Sequence, residues 1–371
     1  MNEQWIAERM RGIEVSGIRK VFDLAANLKD PVNLSIGQPH FPVPDSIKAA
    51  AKKAIDDDKN GYTVTQGIAP LRERLLADLK TKYPGQDRSV IVTSGTSGGL
   101  ALALLCTINP GDEVIFFDPY FVMYPHFLTL AGGKAVVIDT YPDFQINLDR
   151  LNAAITPKTK AIVVNSPGNP TGVVASRDTL REVARIAKEK NILLISDEIY
   201  HAFAYDAPFA SPAEFSEDCL VIDGMGKTYG ITGWRLGFAH GPKRLIEEMT
   251  KLQQFTYVCA PSVVQYAGMA MLDYDVSGIV ADYKQKRDRL AVGLKGLYDF
   301  NLPGGAFYLF AKAPWGTGTE FVTEAIKNNL LIIPGGTFSK RDTHFRISYA
   351  ASDTMIDRGL EILRMLAKRP G

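Results

Sequence analysis

From about residue 45 to 275 the chain alternates between stretches with helical spacing of apolar residues and short runs that are apolar throughout. Asp45 to Asp57, Ala69 to Lys82 and Ser176 to Lys190 predict amphipathic helices. In the last of these, Leu180, Val183, Ala184 and Ala187 recur three and four residues apart, which puts them on one face. Between the helices lie Val90 to Thr93, Val114 to Phe117, Ala135 to Ile138, Ala161 to Val164, Ile192 to Ile195 and Leu220 to Ile222. These β-branched runs lack the polar alternation of a half-exposed strand, so they predict strands buried on both faces in a largely parallel, helix-covered sheet. Such sheets bind ligands beyond the carboxyl ends of their strands, so the residues just after each run are the candidates for chemistry.

Past Asp273 the texture changes. One long helical stretch, Val276 to Tyr298, is followed by three short runs, Ala306 to Ala311, Leu330 to Ile333 and Phe345 to Tyr349. A last helix is expected over Asp353 to Lys368. The first 44 residues hold one helical stretch and the loop Gly37-Gln38-Pro39. The expected organisation is a large α/β domain over 45–275 and a smaller α+β domain formed by 276–371 together with 1–44.

Composition narrows the function classes. Charged residues make up 22% with a formal net charge of +1 and no block of one sign, which gives no electrostatic footprint for nucleic acid or an anionic membrane. The longest apolar runs, such as Asn191 to Ile195, have strand length and fall well short of a membrane span. The opening residues are charged and lack an apolar core, so no secretory leader is expected there. Cys106, Cys219 and Cys259 are far apart, as are His40, His126, His201, His240 and His344. Neither a disulfide framework nor a metal site is expected, and a reducing cytoplasm fits.

The segment after Leu220 to Ile222 carries the most chemistry. Gly226-Lys227-Thr228 imitates the end of a phosphate-binding P-loop, but that motif needs a glycine at 221, where Val221 stands. Gly230, Gly233 and Gly237 also interrupt any helix that would have to follow. A lysine beyond a buried strand can instead attack a carbonyl, provided that burial and a cation such as Arg235 depress its pKa. Four further segments point the same way. Asn165 to Gly172 (Asn-Ser-Pro-Gly-Asn-Pro-Thr-Gly) and Ser196 to Tyr200 (Ser-Asp-Glu-Ile-Tyr) each follow a buried run. Thr93 to Gly99 joins a strand to an apolar helix, where free N–H groups and the helix dipole make an anion site. Arg346 stands inside an apolar strand, where its charge needs a partner. Singly these read as a turn, a helix cap, a glycine-rich connection and a buried ion pair.

Together, in this order, they resemble the class I/II aminotransferases, the pyridoxal-phosphate enzymes of fold type I, of the aspartate-aminotransferase kind. The most specific matches are Asn169-Pro170-Thr171-Gly172, Ser196 to Tyr200, and Lys227 to Gly237 (Lys-Thr-Tyr-Gly-Ile-Thr-Gly-Trp-Arg-Leu-Gly). The resemblance runs from Gly37 to Arg346 and implies pyridoxal 5′-phosphate as cofactor, an amino acid and a 2-oxo acid as substrates, and an amino-group transfer between them. It implies that Lys227 is the Schiff-base lysine and proton carrier, that Asp197 pairs with the pyridine nitrogen, and that Tyr200 and Asn169 donate to the ring's phenolic oxygen. By the same matching, Gly95, Thr96, Ser97, Arg235 and Tyr62 hold the phosphate, and Phe121 stacks on the ring, with Tyr120 and Tyr124 as alternatives. Arg346 clamps the substrate α-carboxylate, beside Asn169, and Gly37 leaves room for it. Tyr62 lies in Gly61 to Gly67, which matches a loop that enters the neighbouring subunit's site, so the resemblance implies a homodimer with shared sites.

One departure stands out: the family commonly has serine three residues before the lysine and often another directly before it, whereas here these are Gly224 and Gly226. Ser94, Ser97 and Thr228 are the candidates to replace the missing hydroxyl. The alternative on the same scaffold is a C–S β-lyase or related lyase, which uses the same lysine and aspartate.

Overall fold

The computed structural model describes residues 3–15, 17 and 28–368. The first strand, β1 (Val32–Asn33), is followed by helices α1 (Asp45–Asp56) and α2 (Ala69–Lys82). Then come β2 (Arg88–Ser94), α3 (Gly95–Thr107), β3 (Glu113–Asp118), α4 (Met123–Ala131), β4 (Lys134–Asp139), α5 (Leu148–Ala154) and β5 (Thr159–Asn165). α6 (Arg177–Glu189), β6 (Leu193–Asp197), β7 (Leu220–Gly224) and β8 (Leu236–Pro242) complete a seven-stranded sheet of order β2-β8-β7-β6-β5-β3-β4. All its neighbours pair in parallel except β8, which runs antiparallel to both β2 and β7. The fold is α/β of the expected kind.

Both faces of the sheet are buried, as its uniformly apolar runs require. Val90, Val92, Ile162, Val164, Leu194 and Val221 point into one apolar cluster. Their strand neighbours Ile91, Val163, Ile195, Leu220 and Ile222 point into another. Helix α6 shows how local chemistry and packing agree. Ser176 caps it by accepting from the Thr179 N–H at 3.0 Å, an interaction worth about 1 kcal/mol. Its stripe of Leu180, Val183, Ala184 and Ala187 is buried, while Arg185 pairs with Glu189 at 2.6 Å on the exposed face.

The strand β8 has no counterpart in the apolar pattern. Gly237, His240, Gly241 and Pro242 dilute it, so the search for uniformly apolar runs passes over it. It is a strand because it fills the gap between β2 and β7, where backbone pairing on both sides compensates for weak composition.

Beyond α7 (Lys243–Thr256) and α8 (Ser262–Leu272) the chain enters the smaller α+β part. The long α9 (Ser277–Leu294), β9 (Tyr308–Lys312), α10 (Gly318–Lys327), β10 (Leu330–Leu331), β11 (Ile333–Pro334), β12 (His344–Ser348) and α11 (Asp353–Ala367) make it up. The single run Leu330 to Ile333 divides in two. Leu330–Leu331 pairs in parallel with Val32–Asn33, whereas Ile333–Pro334 joins an antiparallel sheet of order β11-β12-β9. The described residues before β1 include two short 3-10 helices, Glu3–Trp5 and Glu8–Gly12. The helical stretch expected in the first 44 residues falls partly on 16 and 18–27, outside the described residues.

Candidate active site

The carboxyl ends of β5, β6 and β7 and the first turn of α3 converge on one cavity of about 180 Å³. Of the residues singled out in the sequence, Gly37, Thr96, Phe121, Asn169, Asp197, Tyr200, Lys227 and Arg346 line it. Gly95 and Ser97 flank Thr96 in the first turn of α3, and Arg235 lies against that turn. Tyr62 is elsewhere: its side chain is 88% exposed on the surface.

Lys227 sits in the turn between β7 and β8 and donates from Nζ to the Gly37 carbonyl. Burial, then the nearby charges of Arg346 and Arg235, lower its pKa to about 8, with Asp197 opposing them. Roughly a tenth of the amine is therefore uncharged and nucleophilic near neutral pH, far more than for an ordinary lysine. Gly37 has a second reason to be glycine: a Cβ there would lie 2.2 Å from the Tyr308 hydroxyl.

Asp197 ends β6 and is buried. Burial pushes its pKa up to about 6, against the pull of hydrogen bonds from the Tyr124 hydroxyl at 2.7 Å and the Ile199 N–H at 3.4 Å. It remains largely ionised at neutral pH, an acceptor waiting for a cation. Tyr124 is thus committed to Asp197, and Tyr120 packs edge-on against Phe116 at 4.9 Å. Of the three aromatics only Phe121 lines the cavity.

Arg346, on β12, is the opposite case. It is buried, and its Nη atoms donate to Asn169 Oδ1 at 2.8 Å and the Ser35 carbonyl at 2.7 Å. Its guanidinium lies 4.4 Å from the Tyr308 ring centroid and 4.8 Å from that of Phe338. Nε has no partner, and among the described residues no carboxylate pairs with it. A buried cation held only by neutral groups is a site for an anion.

The first turn of α3 and Arg235 bring together a second set of groups able to hold an anion. Gly95 adopts φ +68°, and a Cβ on it would meet Arg235 Nη2 at 2.6 Å. One on Gly237 would meet the Gly95 carbonyl carbon at 2.6 Å and the Thr96 N at 2.8 Å. The missing side chains let β8 press Arg235 against the first turn of α3, whose capping residue Ser94 makes no side-chain cap. Arg235 donates to Ser97 Oγ at 2.6 Å, so a guanidinium, a hydroxyl and free helix N–H groups share one spot. Thr228, by contrast, faces a different cavity with its hydroxyl unpartnered, and is removed from the candidates to replace the missing serine.

The family model for aminotransferase class I and II matches residues 29–363. This chain belongs to the class I and II aminotransferases. It is 37% identical to a probable aspartate aminotransferase of Methanocaldococcus jannaschii, over 97% of this chain and 99% of that protein. It is 32% identical to an aromatic-amino-acid aminotransferase of Thermococcus litoralis over 98% of both. Among solved structures, an aspartate aminotransferase of Thermus thermophilus with maleate superposes with a TM-score of 0.93 at 32% identity, covering 97% of this chain and 99% of that one. The aminotransferase is a pyridoxal-phosphate enzyme. Its residues suit that cofactor: an anion cradle at the first turn of α3 lies beside a cavity lined by a buried acid and an amine of depressed pKa.

Three contributors escaped the sequence reading. Asn165 donates to the Asp197 carbonyl at 3.0 Å and accepts from the Asn169 N–H at 2.9 Å. Its place just after a buried run was the available signal. Tyr308 bonds the Tyr200 hydroxyl at 2.8 Å, and Ser35 anchors Arg346. Both come from distant parts of the chain, and nothing local marks them.

Proposed function

We propose that Lys227 holds pyridoxal phosphate through a Schiff base on Nζ and, once released by substrate, moves the proton at the substrate Cα. The observation that carries this is the single cavity in which an amine of depressed pKa meets a buried carboxylate and an unpaired guanidinium. Pyridoxal phosphate, when bound, supplies a carbonyl that condenses with amines and a protonated ring that accepts the electron pair left at Cα. Asp197 keeps the ring nitrogen protonated, and Tyr124 orients that carboxylate. Phe121 covers one ring face. Asn169 and Tyr200 donate to the ring oxygen. Arg346 binds the substrate α-carboxylate in a two-pronged grip, with Asn169 beside it. The Gly95, Thr96 and Ser97 N–H groups and Arg235 hold the phosphate.

Ser97 is our candidate for the hydroxyl that Gly224 lacks. A hydrogen bond to a charged phosphate is worth roughly 1.5–3 kcal/mol, so Ser97→Ala is expected to weaken cofactor affinity by about one to two decades. Gly224→Ser is expected to gain little, because its Cβ would press on Thr96 Cγ2 at 3.0 Å and Ile199 Cδ1 at 3.2 Å. Equilibrium titration of the two apoenzymes decides; a large gain from Gly224→Ser with no loss from Ser97→Ala would reverse the assignment.

The working form is a homodimer in which Tyr62 completes the partner's phosphate site. Tyr62 projects outward from a loop that is firmly held. Gln265 Nε2 donates to Thr63 Oγ1 at 3.1 Å, and Gln253 Nε2 to the Thr65 carbonyl at 2.6 Å. Phe255 and Tyr257, at the end of the helix that carries Gln253, are exposed as well. Mixing inactive Lys227→Ala with weakened Tyr62→Ala protein is expected to restore activity, since one site of each mixed dimer then has both groups intact. Absence of rescue after demonstrated subunit exchange would contradict the shared site.

The division into 45–275 and 276–371 plus 1–44 is supported by separate apolar clusters and by the pairing of Val32–Asn33 with Leu330–Leu331. Hydrogen-exchange protection that runs unchanged across those boundaries would count against it. A cytoplasmic location is supported by three free cysteines; a disulfide in protein from the native source would argue otherwise. No described helix is long and apolar enough to cross a membrane.

A further inference from the structure

His201 and Asp223 lie outside the cavity, and none of the roles above uses them. His201 directly follows Tyr200, and Asp223 directly precedes Gly224 on β7. The imidazole Nδ1 is 3.1 Å from Asp223 Oδ1 and 3.0 Å from Oδ2. Oδ1 also accepts the Gly224 N–H at 2.6 Å. The pair therefore ties the segment that carries Asp197 and Tyr200 to the one that carries Lys227. The Asp223 side chain is only 7% exposed, whereas that of His201 is 35% exposed and open to protons. A buried carboxylate needs a compensating charge, and this one is near enough to Asp197 to raise its pKa.

Other titratable groups surround His201. Glu198, on the same segment, is buried, and burial raises its pKa. Asp78 and Lys82 of α2 and His240 of β8 line, with His201, a second cavity of about 180 Å³. His240 is held neutral, by burial and by Arg88, whose Nε donates to its Nδ1 at 2.9 Å. Burial and Lys82 work against a proton on His201. The charge and hydrogen bond of Asp223, aided by Glu198, outweigh them and raise its pKa above the ordinary imidazole value.

We propose that His201 is a positioning residue that acts by charge: its protonated ring neutralises the buried Asp223 carboxylate next to the segment that bears Lys227, and so favours binding of the cofactor's anionic phosphate and ionisation of Asp197. This rests on the roles given to Lys227 and Asp197 above. When His201 loses its proton, the Asp223 charge stands uncompensated and both effects fade.

Two measurements test it. By NMR, His201 of the apoenzyme should titrate above 6.5 in wild type and fall to or below that value in Asp223→Asn. Pyridoxal phosphate titrations should then separate charge from bracing. His201→Gln is expected to weaken binding about tenfold near about pH 6, the equivalent of one pK unit of coupling, with the ratio to wild type closing towards one by about pH 9. Asp223→Asn removes the charge but keeps the oxygen that accepts from Gly224. It should match wild type at the lower pH and exceed it at the higher. Equal weakening by both variants at every pH, or a wild-type His201 that titrates at or below 6.5, would overturn the proposal. Borohydride labelling of Lys227 in the same preparations keeps the outcome distinct from a failure of the lysine assignment.

Discussion

Lys227→Ala is expected to lower turnover by about 10⁴-fold or more, because one substitution removes both the covalent anchor and the group that moves the Cα proton. Borohydride reduction of the wild-type holoenzyme should leave the cofactor fixed to Lys227, and reduction of the variant should leave no label. The pH dependence follows from the direction of the shift. Burial and two arginines depress the amine to about 8, so its uncharged, reactive fraction grows as pH rises through that value. The rate at which apoenzyme takes up pyridoxal phosphate should therefore climb towards about pH 8 and level off above it. Label on another lysine, or a Lys227→Ala protein with near-normal turnover, would end the assignment.

Asp197→Ala should be the next most damaging change, cutting turnover by roughly 10²–10³-fold, the range for removing a preorganised electrostatic group from a site shielded from water. Cofactor retention should suffer less, since Arg235, Ser97 and the α3 N–H groups are untouched. Asp197→Glu keeps the charge and should do less harm. In the apoenzyme burial raises this carboxyl to about 6, so uptake of pyridoxal phosphate should weaken as pH drops below that value and Asp197 takes up a proton. Steady-state kinetics of the three holoenzymes and cofactor titration of the wild-type apoenzyme across the acid range provide the check. Turnover close to wild type in Asp197→Ala would reduce Asp197 to a structural acid.

Much of the site was legible because local sequence marks many of its residues, although they come from distant parts of the chain. Asp197 and Asn169 stand at or just beyond the ends of buried strands, and Lys227 is three residues past Gly224, so a parallel sheet brings them to one edge whatever else the fold does. Motif spacing was then enough to pick them out. The choice among Phe121, Tyr120 and Tyr124 was not legible. All three follow β3, and only the path of the chain into α4 aims Tyr124 at Asp197 and leaves Phe121 facing the cavity. The placement of Thr228 was not legible for the same reason: it follows Lys227 directly in the turn, yet it lines a different cavity.

Sequence alone determined the α/β class and the sheet's burial on both faces, and it singled out the candidate lysine, aspartate and two anion-binding arginines. Periodicity and local motif carry that information, and both survive without knowledge of any long-range contact. The tertiary structure alone decided β8, the division of Leu330 to Ile333 between two sheets, the Tyr308–Tyr200 contact and the pairing of His201 with Asp223. Each depends on segments far apart in the chain or on the direction in which a turn releases a side chain. The surrounding packing selects those arrangements, and no local preference encodes them.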